Sequence, residues 1–169
     1  VAGTEYYCLE RCDTDGGLVK ALQDASSPAE RKALVQHAGL DEIADAKRAI
    51  QMAPEHERFD LSLALLPTDI WLRPGDAPPP SAEVQFQKMN EALAMAGELP
   101  RTEAVNRLVV SRLSAEDGHG PDELMTWVRS LAGTETSEVI QAGARTLAAQ
   151  NYIDQIALQW AAAIPDAAQ

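Results

Sequence analysis

Helix boundary signals recur at short intervals along the chain, and they restrict its fold more than any other feature. Ser27-Pro28-Ala29-Glu30 combines an N-cap residue, a proline at the first helical position and an acidic first turn, and Gly39 follows as a stop signal. Apolar residues between such signals recur with helical spacing, and the alternation typical of strands is nearly absent. The sequence therefore predicts an all-α fold with about seven or eight helices. Further predicted starts lie at Leu40, Ser81, Thr102, Asp122, Thr136 and about Tyr152.

Two stretches depart from the helical pattern. Residues 59–65 alternate between apolar and polar residues, but their neighbours favour a short helix over a strand. Residues 67–80 contain five prolines, three of them consecutive at Pro78-Pro79-Pro80, which favours an extended conformation. We therefore expect one domain over residues 1–169, with a proline-rich connection at about 67–80 between two helical halves. Trp71 would anchor that connection by packing against the helices.

The spacing of large apolar residues predicts a shared core in the C-terminal half of the chain. These residues fall on the inner faces of successive predicted helices. They are Trp127, Leu131, Ile140, Leu147, Ile156 and Trp160.

A weak internal repeat runs through the chain and is clearest in its C-terminal half. Trp127 and Trp160 are 33 residues apart and each lies near a helix end, and Thr102 and Thr136, 34 residues apart, each begin a helix. The unit resembles the α-solenoid repeats of tetratricopeptide or HEAT proteins over residues 18–52 and 92–164. It lacks the Leu-Gly and Tyr positions of the strict tetratricopeptide pattern. The resemblance implies antiparallel helix pairs and an extended protein-binding face, and an irregular helical bundle is the alternative.

Composition excludes several functional classes. The net charge of −12 would repel nucleic-acid phosphates, so no nucleic-acid partner is expected. No segment approaches the roughly 20 apolar residues of a membrane span, and 46% hydrophobic residues are too many for a disordered chain. The sequence contains no nucleophile elbow, zinc-protease motif or phosphate-binding glycine loop. We therefore expect a non-enzymatic protein that needs no cofactor.

Cys8 and Cys12 are the only cysteines. Four residues of regular helix would hold their Cβ atoms about 6 Å apart, whereas a disulfide needs about 3.8 Å. A disulfide would therefore require a turn, and two thiols are the simpler alternative. Zinc binding would need two further ligands, which the spacing of the histidines does not supply, so no metal is predicted.

Three places are candidates for binding a partner. Acidic residues flank the loop at Gly118–Pro121, with Glu116 and Asp117 before it and Asp122 and Glu123 after it, and His119 lies within it. The adjacent Tyr6 and Tyr7 form a candidate docking arm, and Trp71 is the third candidate. Each has a structural alternative, since acidic residues also stabilise helix starts and aromatic residues also cover a core.

These features predict a non-catalytic helical module that binds a protein as an inhibitor, chaperone or assembly subunit, and the acidic charge favours a basic partner. The alternative is a small helical enzyme or ligand carrier with a pocket between its helices. The first residue is Val1 rather than Met, which is compatible with removal of a leader, so a periplasmic or secreted location is an expectation.

Overall fold

A computed structural model describes residues 17–71, 75, 77–114 and 121–149. Within these ranges all regular secondary structure is helical, with eight α-helices and no strand. This confirms the predicted all-α fold and the predicted number of helices. Residues 59–65 are helical, as their neighbours indicated. None of the helices in the described ranges is long and apolar enough to cross a membrane.

The chain divides into two compact units, Val1–Gly97 and Glu98–Gln169. We refer to them as unit 1 and unit 2 and describe each by itself. The division falls after residue 97, so the proline-rich segment joins two helices of unit 1 rather than the two units.

Five helices of unit 1 are described, and serine side chains begin two of them. Ser27 Oγ accepts a hydrogen bond from the backbone N–H of Glu30 at 3.2 Å, and Ser81 Oγ accepts one from Val84 at 3.4 Å. Both are N-caps that satisfy a backbone donor in the first turn. The helices are α1 (Gly17–Asp24), α2 (Pro28–Gln36), α3 (Ile43–Met52), α4 (Glu55–Trp71) and α5 (Ala82–Ala94), with a 3₁₀ turn at Leu40–Glu42 before α3.

Helix α4 forms the centre of unit 1, because α2, α3 and α5 all pack against it, while α1 packs against α2 and α3. Its buried apolar residues face several directions, as expected for a helix surrounded by others. Leu61, Ala64 and Leu65 belong to the main core, together with residues of α1, α2 and α3. The buried apolar residues of α4 are Phe59, Leu61, Ala64, Leu65, Leu66 and Ile70.

Pro67 lies inside α4, which continues to Trp71. The prediction that the irregular connection begins at Pro67 is therefore wrong. An interior proline removes one backbone hydrogen bond and crowds the carbonyl four residues earlier, at a cost of about 3 kcal/mol, but Leu66 and Ile70 on either side of it are buried. Burial of these residues offsets the loss, so the helix ends four residues later than the proline signal indicated.

The turn that follows helix α5 contains a left-handed residue. Met95 is its C-cap and Gly97 follows with a φ of +55°. A residue with a Cβ is strained in this conformation, which explains why glycine stands there.

Three helices of unit 2 are described: α6 (Arg101–Leu113), α7 (Pro121–Ser130) and α8 (Ser137–Ala149), with a 3₁₀ turn at Leu131–Gly133 after α7. Helix α8 packs most extensively against α6 and also against α7. Gly143 permits this close approach, because a Cβ there would lie 2.9 Å from Val105 Cγ1 and 3.2 Å from both γ-carbons of Val128.

Four of the six residues predicted to form the C-terminal core are buried. Trp127 is completely inaccessible to solvent, and Leu131, Ile140 and Leu147 are buried with it on α7, the 3₁₀ turn and α8. Ile156 and Trp160 lie outside the described residues.

Candidate functional site

A groove lies in unit 1 between α3, α4 and α5, with a volume of about 160 Å³. Its apolar lining is supplied by Ile50, Leu65, Leu66, Ala92 and Met95. Its polar lining is supplied by Lys47, Gln51, Ser62, Asp69, Lys88 and Glu91. The groove is therefore amphipathic, with charged groups beside an apolar surface.

Helical spacing explains why these residues line one surface. Side chains three, four and seven positions apart lie on the same face of an α-helix. Helix α3 contributes positions 47, 50 and 51, α4 contributes 62, 65, 66 and 69, and α5 contributes 88, 91 and 92, with position 95 at its C-cap. Each helix thus presents one face to the groove.

Four charged side chains bridge the three helices. Lys47 Nζ on α3 lies 2.8 Å from Asp69 Oδ2 on α4 and 3.0 Å from Glu91 Oε2 on α5. Lys88 Nζ lies 2.5 Å from Asp69 Oδ1. Gln87 also donates to Glu91 Oε1 at 3.2 Å. The four formal charges sum to zero, so the cluster neutralises itself; we call Lys47, Asp69, Lys88 and Glu91 the groove quartet.

Burial differs sharply within the groove quartet. The side chain of Asp69 is only 6% exposed, whereas those of Lys88, Lys47 and Glu91 are 22%, 38% and 46% exposed. A buried carboxylate is costly unless it is paired. The ammonium groups of Lys47 on α3 and Lys88 on α5 both contact Asp69 and supply that pairing.

Lys47 remains a cation in this environment. Burial acts to lower the pKa of its ammonium, but hydrogen bonds to Asp69 and Glu91 outweigh burial and raise the pKa above its usual value. A lysine that acts as a nucleophile needs the opposite shift. The electrostatics of the groove therefore suit ion pairing rather than chemistry at Lys47.

A second buried ion pair joins α2 to α4. Arg31 Nε and Nη2 donate to the two oxygens of Glu57 at 2.6 and 2.7 Å, and Arg31 Nη1 donates to the Ala25 carbonyl at 2.8 Å. The hydrogen bonds from Arg31 lower the pKa of Glu57, although burial opposes the shift. This bidentate pair connects α2 to α4, and Arg31 also satisfies the backbone carbonyl of Ala25 just after α1. The role of the pair is therefore structural.

Most residues that the sequence predicts as binding sites lie outside the described residues, namely Tyr6, Tyr7, Glu116, Asp117 and His119. Cys8 and Cys12, the candidate disulfide, lie outside them as well. Trp71 is the last residue of α4, and the position of its side chain is outside the described part. Asp122 and Glu123 are exposed in the first turn of α7, where acidic residues also stabilise the helix dipole.

Sequence reasoning missed the groove quartet. The predicted irregular connection at about residues 67–80 includes Asp69, which the structure instead places on a face of α4. The one local signal of the quartet is the helical spacing of Lys88 and Glu91, which places both on the same face of α5. In the described ranges, no group of three or more histidine, cysteine, aspartate or glutamate residues could hold a metal ion.

The chain matches no protein-family model, no curated protein and no solved structure. The groove is therefore the feature from which we infer a function. The resemblance to α-solenoid repeats stays a prediction.

Proposed function

We propose that this chain is a non-catalytic helical module that binds a basic protein, and that unit 1 receives one large side chain of that partner in its groove. The observation that supports the proposal is an open groove with an apolar surface and charged groups already paired with one another. Binding modules bury an anchor residue in such a groove and surround it with polar contacts that exclude water.

The size of the groove favours a side chain over a metabolite. Pockets for drug-sized ligands usually measure about 300–1,000 Å³, whereas this groove measures about 160 Å³. A cavity of about 150 Å³ accommodates one benzene ring. One aromatic or long side chain of a partner is therefore the occupant that the volume suits.

The charge of the chain favours a basic partner. A net charge of −12 attracts positively charged proteins and increases their association rate at low salt. An inhibitor, a chaperone and an assembly subunit would all use such an interaction.

The alternative function, a small enzyme or ligand carrier, finds less support in the groove. Ser62 is its only hydroxyl group among the described lining residues, and Lys47 is held as a cation by Asp69 and Glu91. General acid–base and nucleophilic catalysis need groups whose pKa is shifted toward reactivity. We therefore treat this alternative as an outcome of the test.

The test compares two methionines of unit 1. Met95 lines the groove, whereas Met52 is 58% exposed at the end of α3 and does not line it. Full-length chains carrying Met95→Glu or Met52→Glu are used to capture the partner from the native host, and the captured proteins are identified by mass spectrometry. We expect Met95→Glu to lose the partner that both wild type and Met52→Glu retain.

Two further experiments test the other candidate site and the alternative function. An Asp122→Asn/Glu123→Gln variant tests the acidic start of α7, which sequence analysis predicted as a binding edge. Native mass spectrometry of the purified chain tests for a bound small molecule. Retention of the partner by Met95→Glu would contradict the proposal, and a small molecule lost only from Met95→Glu would favour the ligand carrier.

A further inference from the structure

The groove contains a position that is built for a cation. Lys47 Nζ lies between two carboxylates from different helices, 2.8 Å from Asp69 and 3.0 Å from Glu91. Two carboxylates at hydrogen-bonding distance from one point create a strongly negative potential there. The raised pKa of Lys47, which persists against burial, agrees with that potential.

An apolar surface lies beside this position. Ile50, Leu65, Leu66, Ala92 and Met95 line the groove together with the quartet. Arginine and lysine place their aliphatic stems on such surfaces while their charged heads remain at the polar edge. The groove is thus complementary to a side chain that combines an apolar stem with a cationic head.

We propose that the groove accepts an arginine side chain of a basic protein partner, with its guanidinium on Asp69 and Glu91 in place of the ammonium of Lys47. This inference rests on the proposed function and specifies the anchor residue. Lys47 would then be an internal competitor that fills the cation position when no partner is bound.

Charge balance supports the exchange. The groove quartet is neutral in the free protein, and it stays neutral if a partner's arginine enters while Lys47 turns out to solvent. An anionic ligand would instead add a negative charge to a chain that already carries −12. A cation is therefore the occupant that the electrostatics favour.

Geometry identifies Lys47 as the residue that leaves. Its side chain is 38% exposed, compared with 22% for Lys88, and it extends from α3 at one side of the groove. Lys88 keeps its own contact with Asp69 at 2.5 Å, so the buried carboxylate remains paired during the exchange. Arginine suits two carboxylates on different helices, because its planar fork has five donors and is weakly hydrated.

The experiment uses N-acetylarginine amide as the probe and N-acetylcitrulline amide as its neutral isostere. Each is titrated into the full chain, and backbone amide shifts of groove residues Ser62 and Ala92 are followed by NMR. We expect shifts with the arginine amide and none with the citrulline amide. Because it removes the internal competitor, Lys47→Met should bind the arginine amide about tenfold more tightly.

Matched controls separate this effect from general changes in charge. Lys20→Met removes an exposed lysine of α1 outside the groove, and it should leave probe binding unchanged. Glu91→Gln should weaken binding about tenfold, because a neutral amide oxygen accepts a weaker hydrogen bond from the guanidinium than a carboxylate does. Glu83→Gln, on an exposed part of the same helix, should not weaken it. Glu91 is nearly half exposed, so its replacement does not threaten folding.

Three results would overturn the inference: equal binding of the citrulline amide, weaker binding by Lys47→Met, and no groove shifts with the arginine amide in Lys47→Met. Its failure is distinguishable from that of the proposed function. If the arginine amide does not bind while partner capture still depends on Met95, the proposed binding function is retained but its anchor residue is not arginine. If the probe binds but capture does not depend on Met95, the groove binds cations but is not the partner site.

Discussion

Units 1 and 2 are both helical, but they join their helices by different means. In unit 1, buried carboxylates link neighbouring helices through Glu57 to Arg31 and through Asp69 to two lysines. In unit 2, the central contact is a close approach of α8 to α6 and α7 at Gly143, next to Val105 and Val128. Unit 2 also buries Arg112, pairs Arg101 with Glu135 and joins α8 to α6 through a hydrogen bond from Thr146 to Asn106. At the point of closest approach, however, the neighbours of α8 are apolar.

The difference indicates where a binding function can reside. Close packing through a glycine uses the space between helices for van der Waals contact. Charged side chains that span three helices instead leave a groove beside them. The candidate site therefore lies in unit 1, although sequence analysis gave the acidic edge of unit 2 as one of its main candidates.

The largest expected effect comes from the apolar packing of unit 2. Trp127→Ala should lower the free energy of unfolding by about 3–5 kcal/mol, because it leaves a large cavity at a fully buried position. Urea denaturation followed by circular dichroism measures the change. Met52→Ala, at an exposed position of unit 1, is the control and should change stability little. A small effect at Trp127 would mean that unit 2 does not depend on this packing.

The second largest effect is expected at the buried ion pair of unit 1. Arg31→Met should cost about 3 kcal/mol, because it leaves the Glu57 carboxylate buried without its cation. Replacing both residues in an Arg31→Met/Glu57→Leu variant should recover much of that loss, since no buried charge is left. Failure of the double variant to recover stability would show that the pair contributes beyond mutual neutralisation.

The same pair gives unit 1 a defined dependence on pH. The folded-state pKa of Glu57 is lowered from 4.5, chiefly by hydrogen bonds from Arg31. Its stabilising contribution is therefore complete above the unfolded pKa and is lost as pH falls through the lowered folded value. Acid denaturation should show a smaller decrease in stability for Arg31→Met/Glu57→Leu than for wild type below pH 4.5. Parallel acid curves would contradict this assignment.

A smaller effect tests the close approach in unit 2. Gly143→Ala should cost about 1–3 kcal/mol, because its Cβ would overlap Val105 and Val128 and the overpacking exceeds the gain in helix propensity. Gly133→Ala is the matched control, since no atom lies within 4 Å of a Cβ there. Thermal unfolding of the two variants should separate them clearly. Equal stability would mean that α8 moves outward without cost.

The smallest effect concerns a local feature of unit 1. Ser27→Ala should lower stability by about 1 kcal/mol, because it removes the side chain that caps α2. Ser81→Ala should cost less, since its hydrogen bond to Val84 is longer, at 3.4 Å compared with 3.2 Å for Ser27. Chemical denaturation checks both values. The reverse order would show that tertiary contacts, not the caps, determine these helix starts.

Local sequence determined the fold class and most helix starts. Ser27, Ser81 and the acidic residues after Pro121 begin helices, as predicted, because a cap bonds with backbone groups within its own first turn. The burial of Trp127 and Leu147 also followed from spacing along single helices. Pro67 predicts a helix end that the structure does not show, because the proline rule describes an isolated helix and leaves out the burial that maintains α4.

The groove was decided by tertiary structure alone. Lys47, Asp69 and Glu91 lie on three helices, and each looks like an ordinary surface charge in its own segment. These side chains come together only if α3 and α5 pack against α4 in particular orientations about their own axes. Those orientations are set by the apolar residues of all three helices. Helix formation is governed by interactions over three or four residues, whereas a bridging ion pair requires several helices to be in place first. The sequence therefore determined where the helices of this protein form, and only their packing determined which charges came together.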